Sequence, residues 1–158
     1  MAIRKAHNGD IKRLTELLSQ VLEVHHKGRP DIFKGGAVKY TKKELEELLS
    51  DGERPVFVAC DENDVALGYC FCVIETVQGN NILNDMKTLY IDDLCVDEKV
   101  RGRHIGTDLY KYALDFAEDM GCYNVTLNVW ALNDGALEFY KKLGMEPMKI
   151  YMEKRLSL

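Results

Sequence analysis

Apolar positions along the chain fall into two periods. Ile11, Leu14, Leu18, Val21 and Leu22 recur at helical spacing and predict a helix from about Asp10 to His26. A short strand around Ile3 precedes it, and the glycine and proline content of residues 27–36 marks a loop. Thr41-Lys42-Lys43-Glu44 has the form of a capping box, opening a second helix with Leu45, Leu48 and Leu49 on one face. Two strands, Val56 to Cys60 and Leu67 to Val77, read as a hairpin through Asp61 to Asp64. Both are apolar on both faces, which implies a central sheet covered on each side. A fourth strand includes Met86 to Val96. Leu109, Ala113, Phe116, Ala117 and Met120 pattern a third helix that Gly121 stops, and Val125 to Trp130 is the next strand. Asn133 caps a fourth helix closed by Gly144, and Met148 to Leu156 reads as a last strand or pair of strands.

The order of elements predicts an α/β sandwich, a mixed central sheet of six to seven strands flanked by about four helices. At 158 residues the chain fits a single domain, 1–158. No apolar run approaches the roughly 20 residues of a membrane span, and the N-terminus lacks a signal-peptide core, so the expectation is a cytoplasmic protein with no membrane partner. A net charge of −5 without a basic stripe argues against nucleic acid and mildly favours cationic partners. Of five cysteines, Cys60, Cys70, Cys72 and Cys95 sit in apolar strand patterns and read as reduced, buried thiols. Cys70 and Cys72 have no second pair or histidine cluster beside them, so no metal site is expected.

The segment from Val96 to Thr107 carries the chemistry. A strand runs into a basic, glycine-containing turn that opens directly into a helix, whose first N–H groups have no intrahelical partner and sit at the positive end of the dipole. Lys99, Arg101 and Arg103 raise the local potential, which suits a polyanion such as a pyrophosphate.

Arg101-Gly102-Arg103-His104-Ile105-Gly106 resembles the Gln/Arg-x-x-Gly-x-Gly/Ala acetyl-coenzyme A motif of the GNAT superfamily of N-acetyltransferases, with His104 where the family's first glycine stands. Leu89 to Val96 resembles that family's fourth strand, and Asn133 to Met145 its Asn-x-x-Ala-x-x-Phe-Tyr-x-x-x-Gly-Phe segment. The resemblance is close from about Lys87 onward and general before it. It implies acetyl-CoA as cosubstrate, without metal. The implied cofactor contacts are Leu94, Cys95, Val96, Arg101, Gly102, Arg103, His104, Ile105, Gly106, Thr107, Asn133 and Tyr140. Strands four and five would splay to admit pantetheine, and an N–H near Leu94 would polarise the acetyl carbonyl.

The resemblance also makes Tyr140 the general acid. A tyrosine hydroxyl, with an ordinary pKa of about 10, can protonate a departing thiolate of pKa about 8.5. Read without the motif, Tyr140 is a half-buried core residue beside Ala136 and Leu137, and Asn133 a plain N-cap. Strand alternation places Asp92 with Leu94 and Val96, and Asp93 on the opposite face. Asp92 matches the position of a proposed base in polyamine-acetylating relatives, where glutamate stands. Pairing with a nearby cation is the bland alternative. Arg29, Phe33 and Asp93 are candidates for the acceptor pocket, while His25 and His26 read as helix-end cations. The resulting expectation is direct transfer from acetyl-CoA to a primary amine on a small molecule or peptide. It leaves a homodimer open, and a noncatalytic acetyl-CoA-binding module is the rival.

Overall fold

The computed structural model describes residues 1–156, which fall into two compact units divided between Asn128 and Val129. The first contains β1 (Ala2–Lys5), α1 (Ile11–Gly28), α2 (Lys42–Leu49), β2 (Val56–Cys60), β3 (Ala66–Val77), β4 (Met86–Val96), α3 (Ile105–Asp119) and β5 (Asn124–Leu127). The second contains α4 (Asp134–Lys142). The sheet order is β1-β2-β3-β4-β5. It is mixed: β4 and β5 run parallel and every other pair antiparallel.

Local signals set the helices. Thr41 N–H donates to Glu44 Oε2 at 2.7 Å and Glu44 N–H to Thr41 Oγ1 at 3.2 Å, the reciprocal box that fixes the start of α2. Asp10, at the start of α1, is buried and accepts Arg4 Nη1 at 2.8 Å and Nη2 at 3.0 Å, tying that helix to β1.

The sheet is covered on both sides. Leu14, Leu17 and Leu18 of α1 and Leu45 and Leu48 of α2 pack with Val58, Tyr69, Phe71 and Cys95. On the other face Phe57 meets Tyr112 and Phe116 of α3 edge-on, at 5.0 and 5.1 Å between ring centres. Each fully buried leucine contributes about 1.5–3 kcal/mol, which makes these two layers the main hold on the sheet. Gly68 lets α3 and β4 approach: a Cβ there would stand 2.7 Å from Cys95 O and 3.2 Å from Leu109 Cδ1.

Three expectations change. Among the described residues the sheet has five strands rather than six to seven, because Met148 to Leu156 forms none. Met148, Ile150 and Met152 supply an alternating pattern, but a strand needs a ladder of backbone partners, and these side chains stand exposed. β5 stops at Leu127, short of Trp130. In β4 the alternation breaks: Phe71 faces Asp93 and Cys72 faces Ile91, so Asp92 is the extra residue of a β-bulge. Ile91 shares a face with Cys72, while Asp93 turns to the α1 and α2 side with Tyr69 and Phe71.

Candidate functional site

β4 pairs with β3 as far as Val96, opposite Gly68, but with β5 only from Thr88 to Ile91. From Asp92 onward its outer edge has no strand beside it among the described residues. Asp97 N–H donates to Leu67 O at 2.9 Å. Hydrogen-bonded pairs alternate along an antiparallel ladder, so Cys95 and Asp93 also bond toward β3, and the main-chain groups of Leu94 and Val96 turn to the open edge. Arg101 Nε takes Val96 O at 3.2 Å. The N–H groups of Leu94 and Val96 and the carbonyl of Leu94 therefore line an unpaired strand edge, the kind of edge to which an extended, amide-bearing chain can add.

Beyond the strand, Asp97 is buried and organises the turn. Its carboxylate accepts Arg13 and, at 3.4 Å, Gln20 Nε2, both from α1, and Lys99 N–H at 3.1 Å. Those bonds hold the Asp97 carboxyl below the ordinary range, the Lys99 N–H most of all. Gly102 has φ +79° and His104 φ +61°, ψ 9°. The left-handed backbone at His104 explains a glycine preference there, since a Cβ is disfavoured in that region. The imidazole makes no capping bond and is exposed, so it leaves the backbone clear. Asp108 N–H, bonded to His104 O at 3.0 Å, opens the α3 ladder, leaving the N–H groups of Ile105, Gly106 and Thr107 without helical acceptors. Lys99, Arg101 and Arg103 are exposed around them. Orphan donors, a left-handed turn and three cations together fit a pyrophosphate.

At the bulge the structure brings together what alternation separates. Lys39 Nζ lies 3.1 Å from Asp92 Oδ2 and 3.7 Å from Asp93 Oδ2, and Tyr69 Oη donates to Asp93 Oδ2 at 3.0 Å. The Asp92 side chain is 32% exposed and that of Asp93 12%. Burial pushes the Asp93 carboxyl above the usual range, against the pull of the Lys39 ammonium and the Tyr69 hydroxyl. Burial lowers the Lys39 ammonium, but Asp93 and Asp92 outweigh it and the net shift is upward. Lys39 is the residue that sequence reasoning missed. It stands in a polar loop 53 residues before Asp92, with no motif around it. The other loop candidates are placed less directly: Arg29 pairs with Asp31 at 2.7 Å, and the Phe33 ring lies tilted against that of His25, 4.9 Å between centres. His25 and His26 stand in the last turn of α1; His25, which feels the Asp93 charge, is lowered chiefly by burial, and His26 Nδ1 donates to Phe33 O at 2.8 Å. Burial raises the Cys95 thiol to about 12, which leaves almost no thiolate at neutral pH.

In the second unit Asn133 Oδ1 accepts Ala136 N–H at 3.1 Å, the cap that starts α4. Tyr140 lies on that helix, its ring 5.0 Å from that of Phe139.

Residues 18–145 match the model of the acetyltransferase (GNAT) family. The chain belongs to that family. Among curated GNAT relatives, an uncharacterized N-acetyltransferase of Methanocaldococcus jannaschii is 33% identical over 84% of this chain and 58% of its own. A thialysine Nε-acetyltransferase of Bos taurus is 31% identical over 92% and 84%. Arabidopsis thaliana glucosamine 6-phosphate N-acetyltransferase is 35% identical over 71% and 72%. The chain thus spans little more than half the length of the archaeal relative. A Bacillus halodurans protein, solved as a point mutant, superposes with a TM-score of 0.95 at 30% identity, over 99% of this chain and 100% of that one. The α/β fold, with one mixed sheet and four helices, is therefore the GNAT fold, and among the described residues no helix is long and apolar enough to cross a membrane.

Proposed function

We propose that this chain, one GNAT domain over residues 1–158, transfers the acetyl group of acetyl-CoA directly to a primary amine. The observation that carries the reading is the open edge of β4 leading into the first turn of α3. Its N–H groups at Leu94 and Val96 continue into those of Ile105, Gly106 and Thr107. The latter three, with Arg101 and Arg103, would hold the pyrophosphate. The open edge would pair with the pantetheine amides, and Leu94 N–H would hold the oxygen that gains charge as the amine attacks.

An amine of pKa about 10.4 is neutral in only about one molecule in 10³ at pH 7, so the acceptor must lose a proton first. The Asp92 and Asp93 carboxylates are the acceptors for it. Asp92 is the exposed member that meets the ammonium, and Asp93 the buried one, its carboxyl lifted above the usual range by burial. Tyr140 protonates the leaving sulfur, an assignment that rests on the Phe139-Tyr140 motif, and Asn133 caps the helix that carries it. The high thiol pKa of Cys95 opposes an acetyl-cysteine intermediate. Relatives named for glucosamine 6-phosphate and thialysine acetylation support an amine acceptor, with sugar and amino-acid amines as the classes to try first.

The test is a panel of sugar, amino-acid, polyamine and peptide amines with acetyl-CoA, read as released thiol. Amine-dependent thiol release supports the reading. A chain that binds acetyl-CoA but releases thiol with no amine is a cofactor-sensing module instead.

A further inference from the structure

Lys39 pairs with Asp92 and Asp93, the carboxylates that the proposed reaction assigns to the acceptor ammonium. Its Nζ is bonded to Asp92 and close to Asp93, the two residues before Leu94, and one residue of strand advances about 3.3 Å. The Lys39 ammonium also lies 5.4 Å from the Tyr40 ring centre, and Tyr40 stacks on Phe71 at 6.1 Å, so the side chain is seated on the sheet. It is 29% exposed, whereas Lys42 and Lys43, a few residues on, extend into solvent and pair with Glu46 and Glu47 along their own helix. The carboxylates that hold this amine belong to the two residues that directly precede Leu94, whose N–H the proposed reaction assigns to the acetyl carbonyl. The loop that carries Lys39 thereby presents a tethered primary amine to the same carboxylates as an incoming acceptor.

We propose that Lys39 is a self-acetylation site whose modification uncovers Asp92 and Asp93 for a cationic acceptor. The inference rests on the acetyl-transfer reading above. The Lys39 ammonium gives one proton to the carboxylate pair, and its nitrogen lone pair attacks the thioester carbonyl. The carbon–sulfur bond then breaks. The sulfur leaves as thiol after taking a proton, and the nitrogen keeps one hydrogen in the new amide. One ammonium and one thioester thus give one amide, one thiol and one released proton. Acetyl-lysine is neutral and cannot hold two carboxylates as the ammonium does, so both become free to pair with the next amine.

The experiment incubates the purified full chain with isotope-labelled acetyl-CoA and no amine, and follows label by peptide mass mapping. Lys39 should be labelled at least about 10²-fold faster than Lys42 and Lys43, the gain expected of a positioned amine with a general base. The rate should be first order and independent of protein concentration. Asp93→Asn should slow it by about the same factor, with Asp92→Asn in its place if that variant fails to fold. Lys39→Arg should remove the fast label and keep the slow background. Labelling of Lys39 at the rate of Lys42, or a rate that rises with protein concentration, overturns the inference. A chain that releases thiol with an added amine yet leaves Lys39 at background loses self-acetylation alone. One that does neither loses the acetyl-transfer reading as well.

Discussion

His104→Gly tests the account of the turn, because stability and affinity should respond differently. His104 sits at φ +61° without a capping bond, a conformation that costs an L-residue roughly 1–2 kcal/mol and that histidine tolerates better than most. The lower figure, about 1 kcal/mol, is therefore the strain that glycine relieves. Against it, glycine adds about 0.4–1 kcal/mol of unfolded-chain entropy. The net gain lies between zero and about 0.6 kcal/mol, and for a chain of this length each kcal/mol moves Tm by about 2–4 °C. His104→Gly should therefore melt at the parent's temperature or up to about 2 °C above it. Since the ligand is met by backbone N–H groups, the Kd for coenzyme A should stay within a few fold. Thermal melts and calorimetric titrations at one ionic strength read both. A lower Tm, or a Kd weakened by about tenfold or more, equivalent to 1.4 kcal/mol, would show that the imidazole contributes directly and refute the reasoning.

Tyr140→Phe keeps the ring and deletes one hydroxyl, so kcat should fall by about 10²–10⁴ with coenzyme A affinity and Tm nearly unchanged; equal kcat would end the acid assignment. Gly68→Ala places a methyl 2.7 Å from the Cys95 carbonyl, and an overpacking cost of about 1–3 kcal/mol should outweigh the entropy gained, lowering Tm and weakening coenzyme A together. An unchanged melt would show that β4 and α3 separate freely. Asp93 has a folded pKa above its unfolded value of about 3.9, so the folded state binds more protons and its contribution to stability declines as pH rises from about 4 through the raised value. Asp93→Asn should flatten that decline in denaturant titrations across pH, and an unaltered slope would contradict the burial argument.

What the sequence makes legible depends on how local the cause is. The α2 capping box, the periodicity of α1 and α3, and the basic turn are each written within a few consecutive residues, and they stand where expected. The bulge at Asp92 is not so written. Leu89, Ile91, Asp93 and Cys95 read as one unbroken alternation, and only the pairing with Phe71 and Cys72 shows that Asp93 has crossed to the other face. Lys39 was hidden for a related reason, since its meeting with Asp92 is a long-range consequence of how the α1–α2 loop returns to the sheet. Met148 to Leu156 erred the opposite way: a suitable pattern lacked the partner strand that makes it a strand.

The central claim is that the open edge of β4 and the first turn of α3 form one acetyl-CoA site. Amide chemical shifts recorded while coenzyme A is titrated into the isotopically labelled chain address each of its donors separately. The account predicts the largest changes at Leu94, Val96, Ile105, Gly106 and Thr107, with β1 and α2 nearly still. Largest changes elsewhere, or saturating binding that leaves those five amides unmoved, would contradict it.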